Sequence, residues 1–149
     1  MATLLDTNIL VRLANKSDRK HATALGAIAR LHACAEALAI TSQIIIEFRA
    51  VATRPTSANG LGFSLPDTKS EIDGFLASFP LLPETPAIFP AWLDIVDGLG
   101  GIGKQVHDAR LAACCHVHGI GAILTFNVPH FARFSTFGPG LRVLDPATV

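Results

Sequence analysis

The chain has 149 residues, half of them apolar and only 16% charged, and its twelve basic residues balance twelve acidic ones. That length suits one domain over residues 1–149 with a full core, and the composition excludes disorder. Apolar stretches are broken well short of the ~20 residues of a membrane span, and no basic segment precedes an apolar one near the N-terminus, so neither a membrane nor a secretory route is expected. Cys34, Cys114 and Cys115 are odd in number and two are adjacent, which argues against a disulfide framework and for a reducing cytoplasm.

In chain order, a short apolar strand near residues 3–5 leads into Asp6. A helix follows with Ile9, Leu10 and Leu13 on one face. Apolar residues at intervals of three and four (Leu25, Ile28, Leu31, Ala35) predict a second helix from about Asp18 to Leu38. "LAIT" (38–41) reads as a strand, and Ser42 is placed to cap a helix running to about Thr53. "RPTSANGLGFSLPD" reads as a loop. Helical patterns resume over Thr68–Phe79 and Ala87–Leu99, on either side of the strand-like "PLLP". A glycine-rich turn, "GLGGIGK", precedes a helix from about Val106 to His118, which Gly119 ends. "GAILTF" is a third strand and "LRVLDP" a last one. This alternation predicts an α/β fold with a mainly parallel sheet covered by helices on both faces. In such sheets ligands sit beyond the carboxyl ends of the strands, where Asp6 is expected.

Two further acids stand in apolar company. Glu47 lies in "TSQIIIEFRAVA", where Ile44, Ile45, Ile46, Phe48, Ala50, Val51 and Ala52 predict burial on most sides. Asp108 opens the apolar helix "VHDARLAACCHV". Each has a plain structural reading: Asp6 as a helix N-cap, Asp108 at the positive end of its helix, Glu47 as partner to Arg49, Arg12 or Arg110. All three together, each beside a strand end or helix start, favour convergence. Carboxylates sharing a pocket repel and raise one another's pKa, and a divalent cation resolves the conflict. Hard oxygen ligands suit Mg²⁺ or Mn²⁺ rather than Zn²⁺.

The N-terminal "LLDTNIL", the helix "TSQIIIEF", the later "VHDARLAA" and then "ILTFNVPHF" resemble, in that order and over nearly the whole chain, the PIN domain family. Length and layout are similar to its VapC-type toxins of toxin–antitoxin pairs. The resemblance implies a three-layer α/β/α sandwich and a metal-dependent ribonuclease, with Asp6, Glu47 and Asp108 at an Mg²⁺ (or Mn²⁺) site. It also implies an RNA substrate, a small antitoxin partner and a homodimer, to which the mean hydropathy of +0.42 adds weight. Thr7 and Asn8 match polar positions beside the first acid, and Thr125 a hydroxyl near the site. The family's last acidic position falls where this chain offers Asn127, so a second metal is expected to bind weakly or only with the RNA phosphate. By this reading Asp6 and Asp108 hold the metal and Glu47 completes the shell or orients water. Thr7, Asn8, Thr125 and Asn127 support them, and Lys104, Arg12 and Arg49 are the nearest phosphate contacts. No role is assigned to His107, or to His130, which suits structure as well as substrate.

Other patterns are set aside. "GLGGIG" (98–103) fits the letters of a dinucleotide fingerprint, but the preceding "WLDIVDG" reads as helix and residues 118–128 hold no acid. "GGIGK" lacks Walker spacing. The soft ligands of "CCHVH" crowd one helical turn, which places Cys114 and Cys115 in the core and His116 and His118 at the helix end. Trp92, Phe75, Phe79 and Phe89 are core or interface residues. Two competing functions remain: a PIN-like protein that binds RNA or a partner without cutting, and a phosphoacceptor receiver, which needs paired acids after the first strand where Asp6 stands alone.

Overall fold

A computed structural model describes residues 1–149. Four strands form one all-parallel sheet: β1 (Ala2–Leu5), β2 (Ala37–Ala39), β3 (Ala122–Leu124) and β4 (Arg142–Leu144), in the spatial order β2-β1-β3-β4. Seven α-helices cover it: α1 (Thr7–Ala14), α2 (His21–Ala33), α3 (Ser42–Thr53), α4 (Leu65–Ser78), α5 (Ile88–Leu99), α6 (Gln105–His118) and α7 (Val128–Ala132). This is the α/β/α architecture expected from the sequence. Thr3, Leu4 and Leu5 of β1 and Ala122, Ile123 and Leu124 of β3 are wholly buried. Strands covered on both faces read as continuous apolar runs rather than alternating ones, which is why these two were legible.

The chain leaves β1 for β2 on one side and returns, after α3–α6, to β3 on the other. Strand order therefore reverses between β1 and β3, whose carboxyl ends lie side by side with Leu5 opposite Leu124. Such a reversal opens a crevice, because the helices that follow the two strands diverge to opposite faces. The Asp6 N–H donates to the Leu124 carbonyl at 3.0 Å and extends the pairing by one residue, so Asp6 sits at the mouth of that crevice.

Several local expectations shift. The second helix ends at Ala33, because Ala35 takes a left-handed φ of 57° and turns the chain into β2. Its Leu25 is exposed, and the buried face is Ala24, Ala27, Ile28 and Leu31. Thr41, not Ser42, caps α3, accepting from the Ile44 N–H. Ser64 caps α4, which begins three residues before the predicted start. "PLLP" contributes one parallel bridge, Leu81 to Ile40, at the β2 edge. "VPHFA" forms the unforeseen α7, with Asn127 in the position before it. Cys114 and Cys115 lie in the core as expected, as do Phe75 and Phe79, whereas Phe89 is exposed.

Candidate metal and nucleic-acid site

Asp6 is the N-cap of α1, and the residue is only 7% exposed. Oδ1 accepts from the Thr7 N–H at 2.7 Å. Oδ2 accepts from the Thr125 hydroxyl at 2.7 Å and from Asn8 Nδ2 at 2.9 Å. The capping reading is therefore correct, yet it explains only one oxygen. The other is gripped by a hydroxyl from the end of β3 and an amide from α1, and no cation reaches either. Burial pushes the Asp6 carboxyl up to about 6, against the hydrogen bonds from Thr125 and Thr7, with Asp108 and Glu47 adding like-charge repulsion.

Thr125 and Asn8 form the rest of the cradle. Asn8 Nδ2 also donates to Thr125 Oγ1 at 3.1 Å, and Asn8 Oδ1 accepts from the Phe126 N–H at 3.1 Å. The Asn127 N–H donates to Thr125 Oγ1 at 3.0 Å. The turn after β3 is thus locked onto α1 by two short polar side chains. Their own groups are satisfied, so the acid keeps a fixed rotamer.

Glu47 comes from the second turn of α3. It is half-buried rather than enclosed, because Ile46 and Ala50 on its flanks face solvent. Its Oε2 accepts from the Thr7 hydroxyl at 2.6 Å and its Oε1 from Gln43 Nε2 at 2.8 Å. None of the arginines considered for it pairs with it: Arg110 binds Glu84 at 2.6 Å, Arg12 binds Asp18 at 3.2 Å, and Arg49 is exposed. Gln43 escaped the sequence reading. Its amide bridges Glu47 to the His107 carbonyl at 2.9 Å, and its Oε1 accepts from Arg110 at 3.3 Å, tying α3 to the first turns of α6. An amide at a helix start reads as a solvated polar residue, and no sequence signal sets it apart.

Asp108, in the first turn of α6, has neither a hydrogen-bond donor nor an ion-pair partner in the structure. Burial and Glu47 raise its pKa, while His130, His107 and Lys104 pull it back. Asp6, Glu47 and Asp108 line one cleft of about 300 Å³, together with Thr7, Asn8, Lys104, Asn127 and His130. The structure therefore gathers the expected residues, with Thr125 buried directly behind Asp6 as its hydrogen-bond donor, except Arg12, which pairs with Asp18, and Arg49, which is exposed and lies outside the cleft. No three acidic, histidine or cysteine side chains stand close enough to make a ready-formed ligand set, a departure from the expected convergence. The cause is local: Asp6 spends its oxygens on the cap and Thr125, and Glu47 leans on Thr7 and Gln43.

Such an arrangement, with acids and hydroxyls gathered where the strand order of a parallel sheet reverses, defines an α/β domain with a polar site at its switch point. Within that class, the chain belongs to the PIN domain family, whose sequence profile matches residues 3–135. Its fold resembles VapBC-1 from nontypeable Haemophilus influenzae (TM-score 0.71, 18% identity, 99% of this chain and 100% of that one). VapBC2 from Rickettsia felis, bound to a promoter DNA fragment, is similar at TM-score 0.69 and 20% identity, over 97% of this chain and 98% of that one. So is VapC20 from Mycobacterium tuberculosis, a toxin that cleaves the sarcin–ricin loop (TM-score 0.61, 17% identity, 89% and 94%). No curated protein matches at the level of sequence.

Proposed function

We propose that this PIN domain is a divalent-metal-dependent endoribonuclease acting as the toxin of a toxin–antitoxin pair. The observation that carries the reading is a cleft lined by three carboxylates, none with a cationic partner within 4 Å. Uncompensated charge at a half-buried site is costly, and a hard cation offsets that cost. The donor chemistry fits Mg²⁺ or Mn²⁺. Mg²⁺ keeps several waters and takes one or two carboxylates plus substrate phosphate, so a loose set of protein ligands suits it. Asp6 and Asp108 would hold the ion, which when bound supplies Lewis acidity toward the scissile phosphate and acidifies water.

The chain's own groups do the rest. Thr7 holds Glu47 facing the cleft, where its carboxylate orients the attacking water or completes the shell. Thr125 and Asn8 fix the Asp6 rotamer. Lys104, exposed and unpaired at the mouth, contacts phosphate. Asn127 brings an amide where a fourth acid would add charge, so a second ion binds weakly until RNA brings its phosphate.

The VapBC neighbours support a small antitoxin as partner, and exposed apolar residues such as Ile102 and Leu65 support a homodimer. No helix is long and apolar enough to cross a membrane, and three free cysteines suit a reducing cytoplasm. The test is cleavage of an RNA panel with Mg²⁺ or Mn²⁺, lost with EDTA and in Asp6→Asn and Asp108→Asn. Metal-induced thermal stabilisation should vanish in the same variants. Tight RNA binding without cleavage at any metal concentration would favour the non-cutting reading, which the Asn127 substitution motivates.

A further inference from the structure

Beside the acidic cleft lies a larger cavity of about 680 Å³ that shares Thr7, Glu47, Lys104 and Asp108 with it and adds Arg54 and Arg110. Its far wall, through Glu84, His107 and Arg110, is also the wall of a third cavity of about 400 Å³ lined by Ile88, Phe89, Trp92 and Val106. The three cavities adjoin through these shared residues, a trough-like row from carboxylates to a pair of aromatic rings. Phe89 stacks on Trp92, with centroids 5.9 Å apart and planes 23° from parallel. Trp92 is anchored from below by its indole N–H, which donates to the Val106 carbonyl at 2.7 Å. Phe89 is 63% exposed, so the stacked pair presents an aromatic surface to solvent. In the same cavity the Thr85 hydroxyl is buried without a hydrogen-bond partner.

We infer that this aromatic pair is a nucleobase platform, on which a base of single-stranded RNA stacks while its backbone runs along the trough to the carboxylates. The inference rests on the ribonuclease reading and adds to it the residues that would hold a base. Charge along the path favours a phosphate chain over an apolar partner. Lys104 and Arg54 are exposed and have no acidic partner, and the one acid on the shared wall, Glu84, is paired with Arg110 and accepts a hydrogen bond from the Ser42 hydroxyl. Aromatic rings bind any base through its π-face, so the platform sets strandedness rather than sequence. A duplex cannot present an unstacked base and should be a poor substrate.

Trp92 is the only tryptophan, so its fluorescence reports the platform directly. A single-stranded oligoribonucleotide is titrated into the protein with Ca²⁺ present, and binding is followed in parallel by anisotropy of an end label. The expected result is saturable quenching of Trp92 at the anisotropy midpoint. Binding should weaken roughly 5- to 100-fold in Phe89→Ala, with Phe89→Tyr close to wild type, and an abasic oligomer should bind both proteins equally. RNA that binds and is cut without any Trp92 response would overturn the platform and leave the nuclease reading standing. RNA that neither binds nor is cut would remove both. A protein whose dimer dissociates in Phe89→Ala, with unchanged affinity for RNA per chain, would assign the rings to a second copy and also overturn the inference.

Discussion

Thr7 holds two acids at once: its backbone N–H donates to Asp6 at 2.7 Å and its hydroxyl to Glu47 at 2.6 Å. One residue at the start of α1 thereby couples the end of β1 to the middle of α3. The hydroxyl supplies one of only two hydrogen bonds to Glu47. Thr7→Val keeps the shape and the backbone bond while deleting the hydroxyl. Loss of a hydrogen bond to a charged group costs about 1 to 3 kcal/mol when buried, and the exposed side of Glu47 moderates it. We expect the melting temperature to fall by a few degrees and cleavage to drop at least tenfold, measured by thermal denaturation and single-turnover kinetics on the same preparation.

Asp6 makes the metal-free protein lose stability as pH rises. Its folded carboxyl lies at about 6 against an ordinary value of 3.8, so the fold binds the proton more tightly than the unfolded chain does. That contribution is complete below pH ~4 and is lost as pH climbs through ~6, with a ceiling of about 3 kcal/mol at ~1.4 kcal/mol per pKa unit. Asp108 shifts in the same direction. Melting temperatures in EDTA should therefore decline between pH 4 and pH 7. Added Mn²⁺, which selects the ionised carboxylates, should stabilise most above pH 6 and little near pH 4. A flat EDTA profile would contradict the buried-acid account.

Gln43 is expected to tune metal affinity without touching metal. Its amide locks Glu47 to the His107 carbonyl, next to Asp108, and so fixes the spacing between the helices that carry those two acids. In Gln43→Leu the Mg²⁺ concentration for half-maximal cleavage should rise roughly tenfold, the usual cost of losing an orienting partner, with a smaller change at saturating metal. Equal losses at all metal concentrations would mean that Gln43 acts on something else.

The cysteines give a test of the core. Cys34 is exposed, whereas Cys114 and Cys115 are buried and burial raises both thiols. A thiol reagent should titrate one group in the native protein and three in denaturant, and Cys34→Ser should abolish the native reaction.

Much of this is legible in the sequence. Thr3–Leu5 of β1 and all of β3 are buried and read as apolar runs, Asp6 follows the first directly, and the resemblance to the PIN family picks out Thr7, Asn8 and Thr125 beside them. Glu47 stands out in the sequence, but its surroundings do not: three consecutive isoleucines suggest enclosure, while a helix turns each by ~100° and sends Ile46 to solvent. Arg12 looked available for phosphate because its partner, Asp18, lies in the turn beyond α1, outside any helical spacing. "HACAEALA" contains no breaker, and only the need to enter β2 forces Ala35 into its left-handed turn. Gln43 and the Phe89–Trp92 pair were illegible as site features, since their meaning lies in what other helices set beside them.

The seam between β1 and β3 has a consequence for biosynthesis. Asp6 leaves the ribosome well before the strand that must lie against it, which is encoded more than a hundred residues later. Until then the acid stands without Thr125 or Asp108 beside it. The cleft is therefore a late product of synthesis, assembled only when both strands of the seam are outside the tunnel.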